Sequence, residues 1–534
     1  MTTLVPKVDF KNGGSTPVGA VNRTSSEKLQ DIVCAKDFGA TGDSTTDDTA
    51  SLQAFFNYVT TNGAIGIITA GQYKVTAPLT IAITTKSFSI QGAGAQSTII
   101  NAASTFAGGT KVLQITGNGT AVSWDMGAFS IQGTYGSTGS ATTGLEIGDS
   151  ASATIGLLGY TFSRISQVYV TGFATLWNVV HTRMIHFEDC AGWGNDVTNQ
   201  TCLSITQNGS FTGDLFFERC QFVNKNDTGN KCVSITSPTG PYNSTTGANS
   251  IGGIKFSVCD FYAGEKAFYI QAAAASLISD IWLMPGCQFD QQTTNAIWVE
   301  SFNTNTIVEN INIESCYVNK SSSDTITFTS TGSGGALRSL LVQNCDIIKA
   351  QAKAINFFSS AANLINNVFV NNNSIVDAVT PSNGAIFFND ATNVQVSGNS
   401  AEQSFSAGKP KYLIEFTSGT TGITCIGNFG ADNIVTALIL DSSASVPKTV
   451  ANNTGYNPVA NGTLSLGASP YTYTNTSGSP QIAFFSNSGA YTFTQLVING
   501  SYVTPTLTQQ YTVPSGATMV VTYTGGLTAQ IAGL

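Results

Sequence analysis

Short runs of alternating apolar and polar residues recur through the middle of the chain. One kind of run ends in a two-residue bend and a cysteine, and its six copies are separated by 30, 39, 28, 29 and 29 residues. The cysteines are Cys190, Cys220, Cys259, Cys287, Cys316 and Cys345. A period of about 29 residues predicts a solenoid, in which each coil contributes one strand to each of several parallel sheets.

Asparagine continues the cysteine position in the later coils, at Asn373, Asn399, Asn428 and Asn453. Stacked coils of parallel strands lie roughly 4.8 Å apart, so equivalent positions form ladders. We expect the cysteines to pack as small apolar residues in the core. The asparagines are predicted to hydrogen-bond from coil to coil through their side-chain amides. Disulfides between coils are not expected in a protein made in a reducing cytoplasm.

A second strand recurs once in each coil. It begins at Cys202, Cys232, Ala267, Ala296, Thr325, Ala354 and Ala385. Its second and fourth residues, such as Ile297 and Val299, are predicted to point into the core. Its third and fifth residues, such as Trp298 and Glu300, are predicted to point outward.

Both ends of the solenoid carry a different pattern. Residues 34–60 predict a short amphipathic helix with acidic capping by Asp47 and Asp48. Its apolar face is Leu52, Phe55, Phe56 and Val59. A helix laid across the open end would cover strand edges and the apolar interior. Residues from about 460 to 534 predict short alternating strands joined by turns.

Composition excludes several classes of function. The chain has 534 residues, 10% of them charged and 42% hydrophobic, which suits an all-β protein and not disorder. With a formal net charge of −9 and no basic stripe, no nucleic-acid partner is expected. No apolar run reaches the ~18–20 residues that insert into a membrane, and the N-terminus lacks a secretory-signal pattern. No zinc-site spacing occurs, so neither a metal nor an organic cofactor is expected.

The segment that follows residue 34 resembles the start of the pectate-lyase-like β-helix domains of bacteriophage tailspikes. The family pattern matches at Asp37, Phe38, Gly39, Ala40, Gly42, Asp43, Asp47, Asp48, Thr49 and Gln53. The resemblance implies an all-β fold: a right-handed parallel β-helix with a short N-terminal capping helix and a small C-terminal β domain. The matched residues belong to a cap and therefore indicate no particular substrate.

The resemblance also implies a domain order. Residues 1–33 would be a virion-attachment arm or linker that docks onto a phage tail or adaptor protein. Residues 34–110 would form the β-helix cap and first coils, and 111–457 the β-helix body. Residues 458–534 would form a β-strand domain for trimerisation or carbohydrate contact.

A tailspike of this kind is a homotrimer in the virion tail. It is made in the host cytoplasm and acts at the bacterial cell surface. The resemblance therefore implies binding and depolymerisation of a capsular polysaccharide or O-antigen, and the paired carboxylates described next favour glycosidic hydrolysis. A polysaccharide lyase and a non-catalytic receptor-binding adhesin are the alternatives.

Two large aromatic residues occupy the outward third position on adjacent coils. Tyr269 and Trp298 could stack on sugar faces, or they could pack under a loop or against another subunit. The longest insertion, residues 237–253, follows the neighbouring strand and would overhang this edge. We predict Tyr269 and Trp298 as substrate-binding residues.

Three carboxylates are predicted to converge beside these aromatic residues. Glu300 ends one strand, Asp280 immediately precedes a strand that begins at Ile281, and Glu309 lies two residues before the matching strand of the next coil. Glycoside hydrolysis uses two carboxylates about 5–9 Å apart, one as acid and one as nucleophile or base. Arg338 matches Glu309 one coil further on, and we predict it as a third substrate-binding residue. A surface ion pair between them is the alternative interpretation.

A second carboxylate pair lies at the bend. Glu188 and Glu218 each stand two residues before a ladder cysteine, with Asp189 and Arg219 beside them. Like charges at coil spacing would raise the pKa of one carboxyl. No outward aromatic residue flanks this pair in the repeat, which makes it the alternative to the first site.

Other chemistries find weaker support in the sequence. Lyase action on a uronic acid needs a cation and a base. The available residues are His181, Arg183, His186, Arg219 and Lys266, scattered over several coils. An esterase would need a histidine beside a serine, and no GxSxG motif is present.

Overall fold

A computed structural model divides the chain into two compact units, residues 1–297 and 298–534. The structure describes residues 31–117, 122–134, 139, 141–151, 163–195, 198–238, 240–272, 275–303, 305–331, 334–361, 364–379, 382–403, 409–430, 433–443, 448–454, 462–475, 480–507, 509–514 and 516–533. Among these residues, no helix has the length and apolar character needed to cross a membrane.

The first unit begins with a helical cap. A 3-10 helix, Ala35–Phe38, precedes an α-helix, Thr49–Asn62. The α-helix buries the face that the apolar spacing predicts, namely Leu52, Phe55, Phe56 and Val59. The predicted amphipathic helix is therefore confirmed.

Asp48 acts differently from the prediction. It is the N-cap residue of the α-helix, but its side chain makes no capping hydrogen bond. The buried carboxylate instead accepts hydrogen bonds from the backbone N–H groups of Thr41, at 2.7 Å, and Gly42, at 3.0 Å. Asp47 accepts from the N–H of Thr49 at 3.1 Å. The acidic pair thus joins the Gly-rich turn to the start of the helix.

Three strands in each coil build the body of the first unit, and we name the resulting sheets A, B and C. Sheet A contains Leu79–Ala82, Lys111–Thr116, Thr143–Ile147, Thr175–Val180, Thr201–Thr206, Lys231–Ser237 and Lys266–Ala272. Sheet B contains Ile32–Cys34, Ile65–Ile68, Phe88–Gly92, Arg183–Glu188, Phe211–Glu218, Ser250–Ser257 and Leu277–Leu283. Sheet C contains Asp43–Asp47, Gly71–Val75, Thr98–Ala102, Ala191–Trp193, Gln221–Val223, Asp260–Tyr262 and Gln288–Asp290. Two longer strands, Trp124–Gln132 and Ser163–Thr171, belong to both B and C.

Strands of successive coils pair in parallel, and their inward side chains stack. The rings of Phe187, Phe217 and Phe256 lie nearly parallel, with centroids 4.4 and 4.6 Å apart. The ladder cysteines are buried and free, as predicted, and each follows the bend between sheets B and C. These stacked positions form the apolar core of the coils.

A left-handed residue makes each bend sharp. Asp189, Arg219 and Val258 have φ of 53°, 52° and 54° and directly precede ladder cysteines. A non-glycine residue in this region carries a strain of about 1–2 kcal/mol. The coil hydrogen bonds hold it there, as in the bond from Asp189 N–H to the Glu218 carbonyl, at 3.0 Å.

The second unit contains coils of the same kind. The strand Asn295–Ser301 includes the division between the units. The strands equivalent to those of sheet A are Ile326–Ser330, Ile355–Ser359, Gly384–Asn389, Tyr412–Phe416 and Ala437–Asp441. Those equivalent to sheet B are Ile307–Glu314, Ala336–Gln343, Ile365–Asn371, Ala391–Ser397, Thr421–Ile426 and Thr449–Ala451. Those equivalent to sheet C are Tyr317–Asn319, Asp346–Ile348, Ser374–Val376 and Ser400–Glu402.

The predicted asparagine ladder is present in the second unit. The side-chain amide of Asn373 donates to Asn399 Oδ1 at 2.9 Å, Asn399 donates to Asn428 at 3.0 Å, and Asn428 donates to Asn453 at 2.8 Å. Each acceptor also receives the backbone N–H of the preceding ladder residue. Buried amides that are fully paired in this way fix the register of the coils.

The C-terminal part of the second unit is an antiparallel sheet. Its strands are Gly462–Leu464, Tyr471–Thr474, Gln481–Ile498, Ser501–Val503, Gln510–Val513 and Thr518–Gly533. The two long strands pair along most of their length, and residues such as Phe485, Leu496 and Met519 fill a small separate core. The predicted β structure of the C-terminal region is confirmed.

The predicted all-β parallel β-helix is thus confirmed in both units. The domain limits at residues 33, 110 and 457 remain predictions. Residues 1–30 of the attachment arm and residues 455–461 around the last boundary lie outside the described residues.

Thiol reactivity tests the cysteine ladder. Burial raises the pKa of Cys202 and Cys232, so neither thiol forms a thiolate at mild alkaline pH. In the native protein we expect a thiol reagent to modify Cys34, which is half-buried, and to leave the nine buried cysteines intact. All ten should react in urea. Rapid native modification of several thiols would contradict the packing.

The asparagine ladder makes a second stability prediction. Asn399→Ala removes the ladder partner of Asn373 and one of the two ladder partners of Asn428 in a buried site, which should lower the free energy of unfolding by about 3 kcal/mol. Gln395→Ala, at an exposed position of the same strand, is the matched control and should change it little. Urea denaturation measures both, and equal midpoints for the two variants would oppose the ladder's role.

Candidate functional site

The predicted aromatic platform is only partly exposed. Tyr269 is 9% exposed, and the ammonium groups of Lys231 and Lys266 lie 5.4 and 5.7 Å from its ring centroid. Trp298 is half-buried and belongs to the second unit. Little of the Tyr269 ring is therefore open to a ligand in this chain.

The three predicted carboxylates fall in different units. Asp280 lies in the first unit and does not precede a strand, because Leu277–Leu283 contains it at a left-handed position with φ 56°. Glu300 and Glu309 lie in the second unit and are half-buried. Glu309 is the register partner of Arg338, as the repeat predicts. The catalytic role of these three residues and the binding role of Arg338 remain predictions.

A continuous row of side chains crosses the outer face of sheet B in the first unit. Register pairing places one residue from each coil in this row: Asp125, Arg164, His186, Phe216, Lys255 and Trp282. Neighbouring strands are about 4.8 Å apart, so the row runs along the stacking direction of the coils.

Three open cavities lie along this row. They have volumes of about 450, 660 and 390 Å³. His186 lines the first two, and Asp214 and Phe216 line the last two. The cavities therefore form one groove, which we call the sheet B groove. Its polar wall includes Asp280, the only member of the predicted carboxylate trio that lines these cavities.

The alternative carboxylate pair stands at the edge of this groove. Glu188 and Glu218 are register partners on adjacent coils. The Arg219 guanidinium bridges them, donating to Glu188 and, at 2.6 Å, to Glu218. Glu188 Oε2 also accepts a hydrogen bond from Arg164 Nη1 at 3.4 Å. His186 Nε2 lies 3.2 Å from Glu218 Oε2.

The guanidinium groups of both arginines hydrogen-bond to carboxylates. The hydrogen bonds to Asp189 and then Glu188 raise the pKa of Arg219, and those to Asp125 raise the pKa of Arg164. The cluster is open to solvent, since the side chains of Glu188 and Glu218 are 25% and 40% exposed. The groove edge thus combines two carboxylates, two permanent cations and an imidazole within reach of a ligand.

Exposed aromatic residues do flank this pair, contrary to the sequence-based expectation. Phe216, 45% exposed, lies two residues before Glu218 on the same strand, and its ring stands edge-on to His186. Trp282 is 38% exposed further along the row. The sequence contains a pattern that indicates this row: His186, Phe216 and Lys255 each stand four residues before a ladder cysteine. One extra residue before Cys287 displaces Trp282 from that spacing.

Three of the five residues that could support lyase chemistry lie together, and the other two lie elsewhere. Arg183, His186 and Arg219 come together at the sheet B groove, where Arg183 pairs with Asp214 at 3.2 Å. His181 is buried at the turn before Arg183, and burial lowers its pKa. Lys266 lies on sheet A beside Glu265.

The loop of residues 237–253 lies next to the groove. Its last residues, Gly252 and Gly253, belong to a sheet B strand and line the cavity that contains Trp282. Tyr242 near its tip is 37% exposed, and its N–H donates to the Ala275 carbonyl at 2.7 Å. The end of the inserted loop therefore lines a cavity on sheet B.

Comparisons with known proteins agree with this fold. A family model described as rhamnogalacturonase A/epimerase, pectate lyase-like, matches residues 32–260, which confirms the resemblance seen in the cap motif. No curated protein matches the chain.

The solved structures that this chain resembles are distant from it in sequence. Tailspike protein 3 of bacteriophage CBA120 has a TM-score of 0.52 at 14% identity, covering 89% of this chain and 71% of that one. The mannuronan C-5 epimerase A-module of Azotobacter vinelandii has a TM-score of 0.46 at 15% identity, covering 79% and 100%. A capsular polysaccharide depolymerase tailspike of Acinetobacter baumannii bacteriophage Fri1 has a TM-score of 0.40 at 12% identity, covering 96% and 86%.

Substitution of Arg219 tests whether the charged residues at the groove edge contribute to the stability of the fold. Exposed ion pairs contribute little to stability, so Arg219→Gln should leave the urea midpoint close to that of the unchanged protein. Glutamine keeps a polar side chain with an aliphatic stem and removes the charge at this left-handed position. Asn399→Ala is the destabilised comparison. A large loss of stability would show that the cluster is structural.

Proposed function

We propose that this chain is a tailspike-type protein that binds and depolymerises a bacterial surface polysaccharide, a capsule or an O-antigen, in the sheet B groove. One observation carries the proposal: exposed aromatic rings lie on one row that crosses successive coils, and a carboxylate pair lies beside that row, two residues further along the same strands. A groove along the stacking direction offers repeated contacts to a repeating chain. The likeness to a bacteriophage tailspike supports the scaffold.

Glycosidic hydrolysis is the reaction we assign to the groove. Glu188, which pairs with the guanidinium groups of Arg164 and Arg219, is the nucleophile or base. Glu218 lies beside His186 and is the proton donor to the leaving oxygen. Phe216 lies on the same strand as Glu218, where its exposed ring can stack on a sugar.

β-Elimination is the second candidate, and the presence of Arg164, Arg219 and His186 together at the groove edge favours it. Arg164 and Arg219 would neutralise a uronate carboxylate, and His186 would remove the proton beside it. The products separate the two reactions, because hydrolysis creates new reducing ends with saturated sugars, whereas elimination creates an absorbing unsaturated uronate.

Assembly and location follow from the tailspike proposal. The protein would be a homotrimer in the virion tail, attached through its N-terminal arm to a tail or adaptor protein and acting at the bacterial surface. Light scattering of the purified protein tests the trimer, and a stable monomer would remove that part of the proposal.

Carboxylate substitutions test the active site. Glu188→Gln and Glu218→Gln should each slow polysaccharide cleavage by about a hundredfold to ten-thousandfold, because each removes an acid–base group and keeps the shape of the side chain. The measurement is the shortening of purified bacterial polysaccharides by size-exclusion chromatography.

Glu300→Gln, Glu309→Gln and Asp280→Asn are the matched variants for the rival carboxylates. Cleavage retained in these three and lost in the first two would assign the reaction to the bend pair. The reverse result would assign it to the trio. Tight binding without any shortening of the polysaccharide would identify an adhesin.

A further inference from the structure

Cations in the sheet B groove differ in how their charge is balanced. Arg164 pairs with Asp125 at 3.0 Å, Arg183 with Asp214 at 3.2 Å, and Arg219 with three carboxylates. Lys255 forms no ion pair or hydrogen bond within the part of the chain that the structure describes. It is therefore a groove cation whose charge remains available to a ligand.

Two aromatic rings hold this ammonium group in place. Lys255 Nζ lies 5.2 Å from the centroid of Phe216 and 5.5 Å from that of Trp282. All three residues project from adjacent coils of the same outward row. Cation–π contacts orient the ammonium group without neutralising it.

Two carboxylates, Asp214 and Asp280, line the same cavity. Asp214 accepts hydrogen bonds from Nε and a terminal nitrogen of Arg183, and Asp280 accepts one from Ser279 Oγ at 2.9 Å. In the described part of the chain neither carboxylate forms an ion pair with Lys255, so the hydrogen-bond donors of its ammonium group are available to an anionic ligand.

We propose that Phe216, Lys255 and Trp282 form a subsite for a sugar residue that carries a carboxylate, and that the polysaccharide is therefore acidic. The inference rests on the proposed function and names its substrate class. The exposed rings stack on the apolar faces of the sugar, and the ammonium group binds the carboxylate. Lys255 determines specificity and takes no part in bond cleavage.

The test uses an array of purified bacterial glycans, some with hexuronic acid residues and some neutral. We expect the unchanged protein to bind the acidic glycans. Lys255→Met retains the aliphatic stem and removes the charge, so it should weaken this binding about tenfold or more. Lys255→Arg should retain most of it. Lys320→Met, at an exposed lysine of the second unit, is the control.

Chemical reduction of the uronate carboxyl groups supplies the second arm. The reduced glycan should bind the unchanged protein as weakly as the acidic glycan binds Lys255→Met, and the substitution should have no further effect on it. Circular dichroism and the urea midpoint establish that each variant is folded.

The outcomes separate the two proposals. Binding to neutral glycans alone, or equal binding of acidic glycans by Lys255→Met, would overturn the acidic subsite and leave the polysaccharide function standing. Binding to none of the glycans would overturn both.

Discussion

Hydrogen bonding between successive coils at a fixed register is the constraint on which the rest of this structure depends. Parallel strands repeat at one spacing, so whatever side chain occupies a position meets its equivalents above and below. Inward, this produces the stacked rings of Phe187, Phe217 and Phe256 and the fully paired ladder of Asn373, Asn399 and neighbouring asparagines. Outward, the same register aligns residues that are about 30 positions apart in sequence.

The sheet B groove is the outward consequence of that register. Aromatic and charged side chains stand in one row, and carboxylates of that row and of the neighbouring one balance Arg164 and Arg219. The left-handed bend residues add to the cluster, because Asp189 and Arg219 occupy bend positions held by coil hydrogen bonds. The chemistry that we propose for the groove edge therefore relies on residues whose positions the fold already fixes.

The β-helix can be predicted from the sequence because its residue patterns repeat from coil to coil. The cysteine and asparagine ladders, the capping helix and the C-terminal strands all appear where the pattern predicts them. The carboxylate pair Glu188 and Glu218 is also visible in the sequence, because each residue stands two positions before a ladder cysteine. Phe216 shares a spacing with His186 and Lys255, but Trp282 stands one residue further from its ladder cysteine, so only the register shows that all four belong to one row.

The sequence by itself determined the period, the inward residues and the cap, since each coil buries its own apolar positions and repeats the same local choices. Which outward residues become neighbours on adjacent coils is known only from the tertiary structure. The 39-residue interval before Cys259 and the extra residue before Cys287 change the sequence spacing without changing the register. The meeting of His186, Phe216, Lys255 and Trp282 therefore depends on backbone pairing between coils, which no single segment encodes.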